Sequence, residues 1–222
     1  LNKIQKKLNK IYYLLFKENH KGKLIYNFPS NFYRWDMIDY LIKKNNYKKY
    51  LEIGCDQNQL FSKINIQTKI GVDPISGGNV RDTSDIFFKK NKEKFDIIFI
   101  DGLHIYDQVK KDILNSIKCL NDGGIVLVHD CLPDAMSKQA VPRYELQWNG
   151  DVWKAIVDLR QNPNFEIYTC EIDQGIGIIK KNKNTSVLKI NKSIKKLKFK
   201  DFYENYKNFM RIISLEEFMK KF

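Results

Sequence analysis

Lys49-Tyr50-Leu51-Glu52-Ile53-Gly54-Cys55-Asp56 is the stretch around which this chain is organised. An apolar strand pattern runs into an acidic residue, a glycine and a polar turn. Glycine permits a sharp turn and a close approach of ligand to backbone. A helix is expected next, over residues 57–64, and the first N–H groups of such a helix are free to bind a ligand. The stretch therefore predicts a strand whose carboxyl end cradles a cofactor.

A second short strand is predicted over residues 69–72, and it ends in Asp73. Glu52 and Asp73 lie about twenty residues apart, the step of a strand–helix–strand nucleotide-binding unit. A carboxylate at this place can accept hydrogen bonds from both hydroxyls of a ribose. A solvent-facing acid at a strand end is the alternative interpretation.

Two further strands end in polar residues of the same kind. Residues 95–100 are apolar almost throughout, which predicts a central parallel strand buried on both faces, and Asp101 and His104 follow it. Residues 124–128 form the next strand, and His129 and Asp130 follow. Ligands of open parallel sheets collect at the carboxyl ends of the strands. These side chains are therefore expected to share one cleft.

The order of elements predicts an α/β fold with a doubly wound, mostly parallel sheet. Helices are expected from about residue 31, from residue 82, over 105–120 and from residue 151. Strands over 165–170 and 175–180 are joined by a short link, which predicts an antiparallel hairpin at the end of the sheet. A helical pattern resumes over residues 200–222 after a lysine-rich linker.

The first helix is expected over residues 1–17, where five apolar residues recur at helical spacing: Leu1, Ile4, Leu8, Ile11 and Leu15. An apolar face of this kind must cover something. Packing on the domain is favoured over membrane contact, because the tyrosines and lysines are not sorted as in an interfacial helix. The chain then divides into a helical cover over residues 1–47, a core over residues 48–180, and a linker with a terminal helix over residues 181–222.

The composition of the chain limits the kinds of binding partner that can be expected. The formal net charge is +13, which fits a nucleic-acid or anionic-membrane partner, but the lysines are spread along the chain and a general lysine and asparagine bias explains them better. No apolar run is long enough to cross a bilayer, and no signal peptide is visible. The four cysteines are scattered without metal-binding spacing, so a reducing cytoplasm is expected.

Taken together, the motifs resemble those of class I S-adenosylmethionine-dependent methyltransferases. The matching stretches are residues 50–55, 71–74, 83–88, 95–104 and 121–130. Within the class, the chain looks most like small-molecule and glycan O-methyltransferases whose fourth strand ends in Asp-Gly-x-His. The resemblance covers about residues 48–180. It implies a Rossmann-like, seven-stranded sheet with a reversed last strand, flanked by N- and C-terminal helices.

The resemblance also implies which residues bind S-adenosylmethionine. Glu52, Gly54 and Cys55 would lie beside its methionine part, and Asp73 would bind the ribose hydroxyls. Ser84 and Asp85 would flank the adenine, and Asp101 would face the reacting end. For Ser84 and Asp85, a simple helix-capping role is the alternative.

Catalysis and metal binding are less closely defined. His104 is the expected base that takes the acceptor's hydroxyl proton, since imidazole titrates near neutral pH, although it could also cap the helix that follows. Asp101 and His129 are the other catalytic candidates; for His129 the roles of ligand, base and buried structural residue all stay open. Some relatives hold a divalent cation with two acids after the fifth strand, where this chain has His129-Asp130. A site of Asp101, Asp130 and His129 could bind Mg²⁺ or Mn²⁺.

The long loop over residues 131–150 is expected to shape the acceptor pocket. Arg143, Trp148 and Asp151 are its substrate-binding candidates. The predicted activity is O-methylation of a sugar, glycan or other polar small molecule. A nucleic-acid methyltransferase is not favoured, since the strand over residues 95–100 is followed by Asp-Gly-Leu-His and by no base-flipping motif. A non-catalytic module of the same fold is the remaining alternative. The terminal helices could form a lid or a homodimer contact.

Overall fold

Seven strands form one sheet at the centre of the computed structural model, which describes all 222 residues. The strands are β1 (Lys49–Ile53), β2 (Thr68–Val72), β3 (Phe95–Ile100), β4 (Leu120–Val128), β5 (Glu166–Cys170), β6 (Ile176–Lys180) and β7 (Ile212–Ile213). Their order across the sheet is β2-β1-β3-β4-β6-β5-β7. The strands β1 to β4 are parallel, and β6 is antiparallel to β4 and β5. The predicted Rossmann-like fold is confirmed.

Helices cover both faces of this sheet. They are α1 (Lys3–Phe16), α2 (Arg34–Asn45), α3 (Ser84–Lys90), α4 (Tyr106–Lys118), α5 (Met136–Gln139), α6 (Val152–Leu159), α7 (Phe199–Met210) and α8 (Leu215–Lys221). Alternate strand residues enter two separate apolar cores: Ile98 and Ile100 face α4 and α6, whereas Ile97 and Phe99 face α2 and α8. The middle of the sheet is therefore buried on both faces, as the apolar run of β3 predicts.

The register of the parallel strands brings their carboxyl ends together. Ile53 pairs with Val72 on one side and with Ile100 on the other, and Ile100 pairs with Val128. Each of these residues is the last of its strand. The residues that follow the four strands therefore meet at one edge of the sheet, where the sequence places its polar candidates.

The C-terminal segment returns to the sheet instead of forming one continuous helix. Arg211 has a left-handed backbone with φ +46° and ends α7. Ile212 and Ile213 then pair in parallel with Thr169 and Cys170 of β5. Backbone N–H and C=O groups left at the edge of β5 are satisfied in this way. The seventh strand comes from this segment, which the sequence pattern alone predicts as helix.

The prediction of a helix over residues 57–64 is wrong, because the segment is a series of turns. Asp56 and Asn58 have left-handed backbones with φ +44° and +63°, a conformation that cannot continue an α-helix. The side chain of Asn58 instead accepts a hydrogen bond from the Gly78 N–H at 2.6 Å. No helix N-terminus therefore follows Gly54.

The expected packing of α1 is also wrong. Its apolar face points away from the domain, and Ile4 and Leu15 are 73% and 71% exposed. The helix is attached by its opposite side, where Tyr13 is buried against Tyr144. Among the helices of the chain, none combines the length and the apolar character that a bilayer crossing requires.

Candidate active site

A small cavity of about 90 Å³ lies where the ends of β1 and β3 meet. Gly54 has φ +87°, and a Cβ at this position would lie 2.3 Å from the backbone oxygen of Asp101. Only glycine fits there. Four predicted cofactor residues line the cavity together with Arg34: Glu52, Gly54, Cys55 and Asp101. The structure thus brings these four together as the sequence predicts.

Glu52 is a buried carboxylate in this cavity, 1% exposed. Its Oε2 accepts a hydrogen bond from the Tyr50 hydroxyl at 2.5 Å. Burial raises the pKa of Glu52 from its ordinary value of 4.5 to about 7, against the hydrogen bond from Tyr50 and with a further contribution from Asp101. A carboxylate held this way gains from a cationic ligand, which would favour its charged form.

Arg34 and Asp173 also belong to this site, and sequence reasoning missed both. The Nη1 of Arg34 donates to Oδ2 of Asp173 at 2.9 Å, while its buried Nε has no hydrogen-bond partner. An unpaired buried N–H of a guanidinium can donate to an anionic ligand group. Arg34 begins α2, and Asp173 lies in the hairpin link, so no sequence spacing joins them.

Asp73 holds the backbone of the cleft. Its Oδ2 accepts from the N–H groups of Cys55 and Asp56 at 3.0 and 3.1 Å, and its Oδ1 accepts from Ile75 and Ser76 at 2.8 and 2.9 Å. Burial alone would raise the pKa of Asp73, but these four hydrogen bonds lower it. The carboxylate is therefore engaged with the protein, and its expected role at a ribose stays a prediction.

We expect Asp73→Asn to lower the free energy of unfolding by about 2 kcal/mol. An asparagine offers one acceptor oxygen and turns an NH₂ group toward two of the four backbone N–H donors. Urea unfolding at pH 7 measures the loss, with Asp122→Asn, at an exposed position, as the matched control. The lowered pKa of Asp73 means that its contribution is present at neutral pH and is lost as the pH falls. A stability equal to that of the control variant would contradict this role.

Two histidines and two aspartates meet beside the cavity. The Nε2 of His104 lies 3.1 Å from Oδ1 of Asp101, and its Nδ1 lies 3.2 Å from Oδ2 of Asp130. The Nδ1 of His129 lies 3.2 Å from the same Asp101 oxygen. Asp130 adopts a left-handed backbone with φ +62°, an uncommon conformation for a residue other than glycine. These four side chains converge as the strand-end argument predicts.

The charges of this cluster are coupled. Burial alone would raise the pKa of Asp101, yet the two imidazoles outweigh burial and hold that pKa well below its usual range. Burial alone would lower the pKa of His104, but the hydrogen bond to Asp101 and the charge of Asp130 raise it. The pKa of His129 is raised well above its ordinary value by the same two acids, against burial. The imidazoles therefore favour the anionic form of Asp101, and the two acids favour the protonated form of each imidazole.

A divalent cation would fit this cluster through a ligand set that differs from the expected one. Single ligand atoms of Asp101, His104 and Asp130 all lie within 4.8 Å of one another. His129 is not part of that group; its Nε2 has no hydrogen-bond partner and lies 3.6 Å from Asp173. Two carboxylates and an imidazole are donors that Mn²⁺ accepts, with Mg²⁺ preferring oxygen alone.

The structure does not bring Ser84 and Asp85 into the cavity. They begin α3, where Nε2 of Gln108 contacts both, and Asp85 also accepts from Lys111 at 2.6 Å. The helix cap is Thr83, whose hydroxyl accepts from the Ile86 N–H. Both side chains fasten α3 to α4 in this structure, so an adenine contact stays a prediction.

Of the three predicted substrate residues, Trp148 contacts the imidazole of His104. Its ring stacks on His104 at 5.4 Å between centroids, and its backbone oxygen lies 3.1 Å from His104 Nδ1. Arg143 instead donates to backbone oxygens of its own loop. Asp151 accepts from the Tyr106 N–H at 2.7 Å and so caps α4.

Asn149 is a further residue that sequence reasoning missed. It is 1% exposed, its Nδ2 donates to Oδ1 of Asp130 at 2.7 Å, and its Oδ1 has no partner. An asparagine in a predicted loop gives no signal of this contact. It fixes the carboxylate of Asp130, and so the shape of the cluster.

S-adenosylmethionine fits this cleft at its amino-acid end. Glu52 and Asp101 offer carboxylates to cationic groups, the unpaired Nε of Arg34 suits a carboxylate, and Gly54 leaves the backbone open. The cavity is smaller than the roughly 300–1,000 Å³ of pockets that enclose whole ligands. The remaining part of the cofactor would lie in the open part of the cleft.

The central part of the chain matches a known family. Residues 34–131 match the family model described as "Methyltransferase domain". A comparison with curated protein sequences returns no match.

Solved structures share the fold. An SAH-bound methyltransferase from Podospora anserina, PaMTH1, is 14% identical with a TM-score of 0.53, over 68% of this chain and 78% of that one. A candidate caffeoyl-CoA O-methyltransferase from Staphylococcus aureus is 18% identical with a TM-score of 0.51, over 80% and 92%. A candidate O-methyltransferase from Klebsiella pneumoniae is 11% identical with a TM-score of 0.54, over 81% and 99%.

The domain match confirms the prediction of a methyltransferase enzyme. The likeness to PaMTH1, which is SAH-bound, extends to the fold alone.

Proposed function

We propose that this methyltransferase domain transfers a methyl group from S-adenosylmethionine to a hydroxyl of a sugar, glycan or other polar small molecule. The observation that carries the proposal is the cluster of Asp101, His104 and Asp130 beside the cavity of Glu52 and Gly54. The residues proposed to bind the donor and the group proposed to take a hydroxyl proton thus lie at one edge of the sheet. Two of the three solved structures above are candidate O-methyltransferases by name.

The residues of the cavity would bind and orient the cofactor. When bound, S-adenosylmethionine supplies an activated methyl group on a cationic sulfur. Glu52 and Asp101 provide negative charge for its cationic groups, and Arg34 provides a donor for its carboxylate. Gly54 lets the molecule approach the backbone where any side chain would collide with Asp101. Positioning of this kind supplies much of the rate of an in-line displacement.

His104 would act on the acceptor hydroxyl. Its ring is held by contacts with Asp101, Asp130 and the backbone oxygen of Trp148. In its neutral form, a fixed imidazole next to the donor site can take the hydroxyl proton as the carbon–oxygen bond forms. His129, behind Asp101, would keep that carboxylate oriented. Trp148 would form one wall of the acceptor pocket.

The direct test is a transfer assay. Purified protein is incubated with radiolabelled S-adenosylmethionine and a panel of free sugars, oligosaccharides and small polar alcohols, and RNA is included as a competing acceptor. Label in a hydroxyl-bearing small molecule supports the proposal. Label in RNA alone would contradict it. Calorimetric titration with S-adenosylmethionine tests the donor site separately, and no detectable binding would favour a non-catalytic module.

The cluster could hold a divalent cation that takes over the activation of the hydroxyl. We expect MnCl₂ to bind the wild-type protein in a calorimetric titration and Asp130→Asn to bind at least tenfold more weakly, because the variant loses an anionic ligand. Asp122→Asn is the control at an exposed site. If neither Mn²⁺ nor Mg²⁺ binds and EDTA leaves the turnover unchanged, His104 acts without a metal.

A further inference from the structure

The outer face of α1 carries an exposed apolar stripe, which we define as Ile4, Leu8, Ile11, Leu15 and Phe16. Their exposed fractions range from 46% to 73%. Ile4, Leu8, Ile11 and Leu15 share one face of the helix at this spacing, and Phe16 adjoins that face at the C-terminal end. The stripe runs along a 14-residue helix and so is about 20 Å long. It is a continuous apolar surface with no partner within the chain.

The opposite side of α1 fixes the helix to the domain. Tyr13 lies half a turn around the helix from Ile4, and its hydroxyl accepts from Nε2 of Gln139 at 2.7 Å. Asn9 donates to the backbone oxygen of Arg143 at 2.8 Å. The helix is therefore held in place with its apolar stripe turned outward, and burying the stripe on the domain would break these contacts.

Positive charge lies along one side of the stripe. The helix α1 carries Lys3, Lys6, Lys7 and Lys10 and no acidic residue. None of these four lysines lies within 4.0 Å of a carboxylate. The cationic side chains are free to meet an anionic partner.

A groove of about 590 Å³ opens beside Phe16 at the end of α1. Six lysines line it, and we call it the lysine groove: Lys17, Lys154, Lys192, Lys195, Lys196 and Lys198. Three of them pair with aspartates, whereas Lys17, Lys196 and Lys198 form no ion pair. An apolar stripe and a groove lined by six lysines, Glu18 and Asp151 thus adjoin on one surface.

We propose that this surface binds an anionic phospholipid membrane. The stripe enters the boundary between headgroups and acyl chains, and the lysines of α1 and of the lysine groove contact lipid phosphates. The expectation that the lysines of α1 are not sorted is not met, since Lys3, Lys6, Lys7 and Lys10 lie apart from the apolar face. A helix with lysines on its polar side and leucine and phenylalanine on the other can lie in such an interface. Clustered lysines add attraction to anionic lipids. The inference is independent of the proposed methyl transfer.

A second copy of the chain fits this surface less well. Pairing two stripes would bring two lysine-rich helices together with no acid on either to offset the repulsion. The acid that follows α1 in the chain is Glu18, whose carboxylate already accepts from the N–H groups of Phe199 and Lys200, both at 2.7 Å. Charge therefore favours a lipid surface over a dimer.

The test is sedimentation of the full chain with sucrose-loaded vesicles. One set contains phosphatidylcholine alone, and the other contains phosphatidylcholine with phosphatidylglycerol. We expect binding to the anionic vesicles that weakens as NaCl rises. The Leu8→Glu variant should bind about tenfold more weakly than wild type, because one leucine of the stripe is lost from the interface. The control is Ile75→Glu, the same kind of change at a residue 86% exposed in the loop after β2.

A second variant tests the lysine groove without touching the stripe. The double change Lys196→Gln and Lys198→Gln should weaken anionic binding at least tenfold and leave the far-ultraviolet circular dichroism unchanged. Equal sedimentation of wild type and Leu8→Glu would overturn the proposal, as would no binding to anionic vesicles. A dimer of the wild type in light scattering that Leu8→Glu converts to a monomer would also overturn it, in favour of a second copy.

Discussion

Replacing His104 with alanine is expected to lower kcat by about 10²- to 10⁴-fold while S-adenosylmethionine still binds. The imidazole lies 3.1 Å from Asp101 and 3.2 Å from Asp130, at the edge of the cavity of Glu52 and Gly54. Its loss removes the proton acceptor and leaves the donor site intact. Steady-state kinetics with the acceptor found in the transfer assay measures kcat, and calorimetry measures donor binding.

The pH profile adds a readout that a structural role would not move. Because Asp101 and Asp130 raise the pKa of His104, its neutral form prevails only above the ordinary value of 6.5. Wild-type turnover should therefore fall as the pH drops through the raised pKa, and added imidazole should partly restore His104→Ala. The control is His20→Ala, since His20 packs against Phe199 and Tyr203, away from the cluster. Full turnover in His104→Ala would exclude His104 from the mechanism.

Replacing Glu52 with glutamine is expected to stabilise the protein at alkaline pH and to weaken donor binding. The native pKa of Glu52 is about 7 and its ordinary value is 4.5, so the folded chain binds the proton more tightly than the unfolded chain. The stability that this proton contributes is fully present below pH 4.5 and is lost as the pH rises through 7. The shift corresponds to roughly 3 kcal/mol. Glutamine keeps an acceptor for the Tyr50 hydroxyl and does not ionise.

Urea unfolding at pH 4.5 and pH 8 tests this difference. Between pH 4.5 and pH 8, the free energy of unfolding of the variant should rise by roughly 3 kcal/mol relative to that of wild type. The control is Glu204→Gln, which removes a carboxylate from an exposed position of α7. In calorimetry at pH 8, the affinity for S-adenosylmethionine should fall at least tenfold, because a carboxylate facing a cationic ligand is lost. A parallel pH dependence in variant and wild type would show that Glu52 is not the group with the raised pKa.

Strand-end positions were predictable because sheet geometry is local and repetitive. An apolar run followed by an acid placed Glu52, Asp101 and Asp130 at carboxyl ends, and parallel pairing brings such ends to one edge. The turns over residues 57–64 were not predictable from periodicity, because the left-handed Asp56 and Asn58 interrupt the helical pattern. The predicted packing of α1 was also wrong, because the sequence shows that a helix has an apolar face but does not show which surface covers that face.

The parallel sheet and the set of polar residues at its edge could be inferred from the amino-acid sequence without further information. Hydrophobic periodicity and glycine placement are properties of neighbouring residues, so they can be recognised before the fold is known. The partners of those residues became clear in the folded chain: His104 with Asp130, Asn149 with Asp130, Arg34 with Asp173, and an α1 stripe turned to solvent. Each of these features joins segments that are distant in the sequence or depends on the orientation of a whole helix. Such features are therefore determined by the packing of the entire chain.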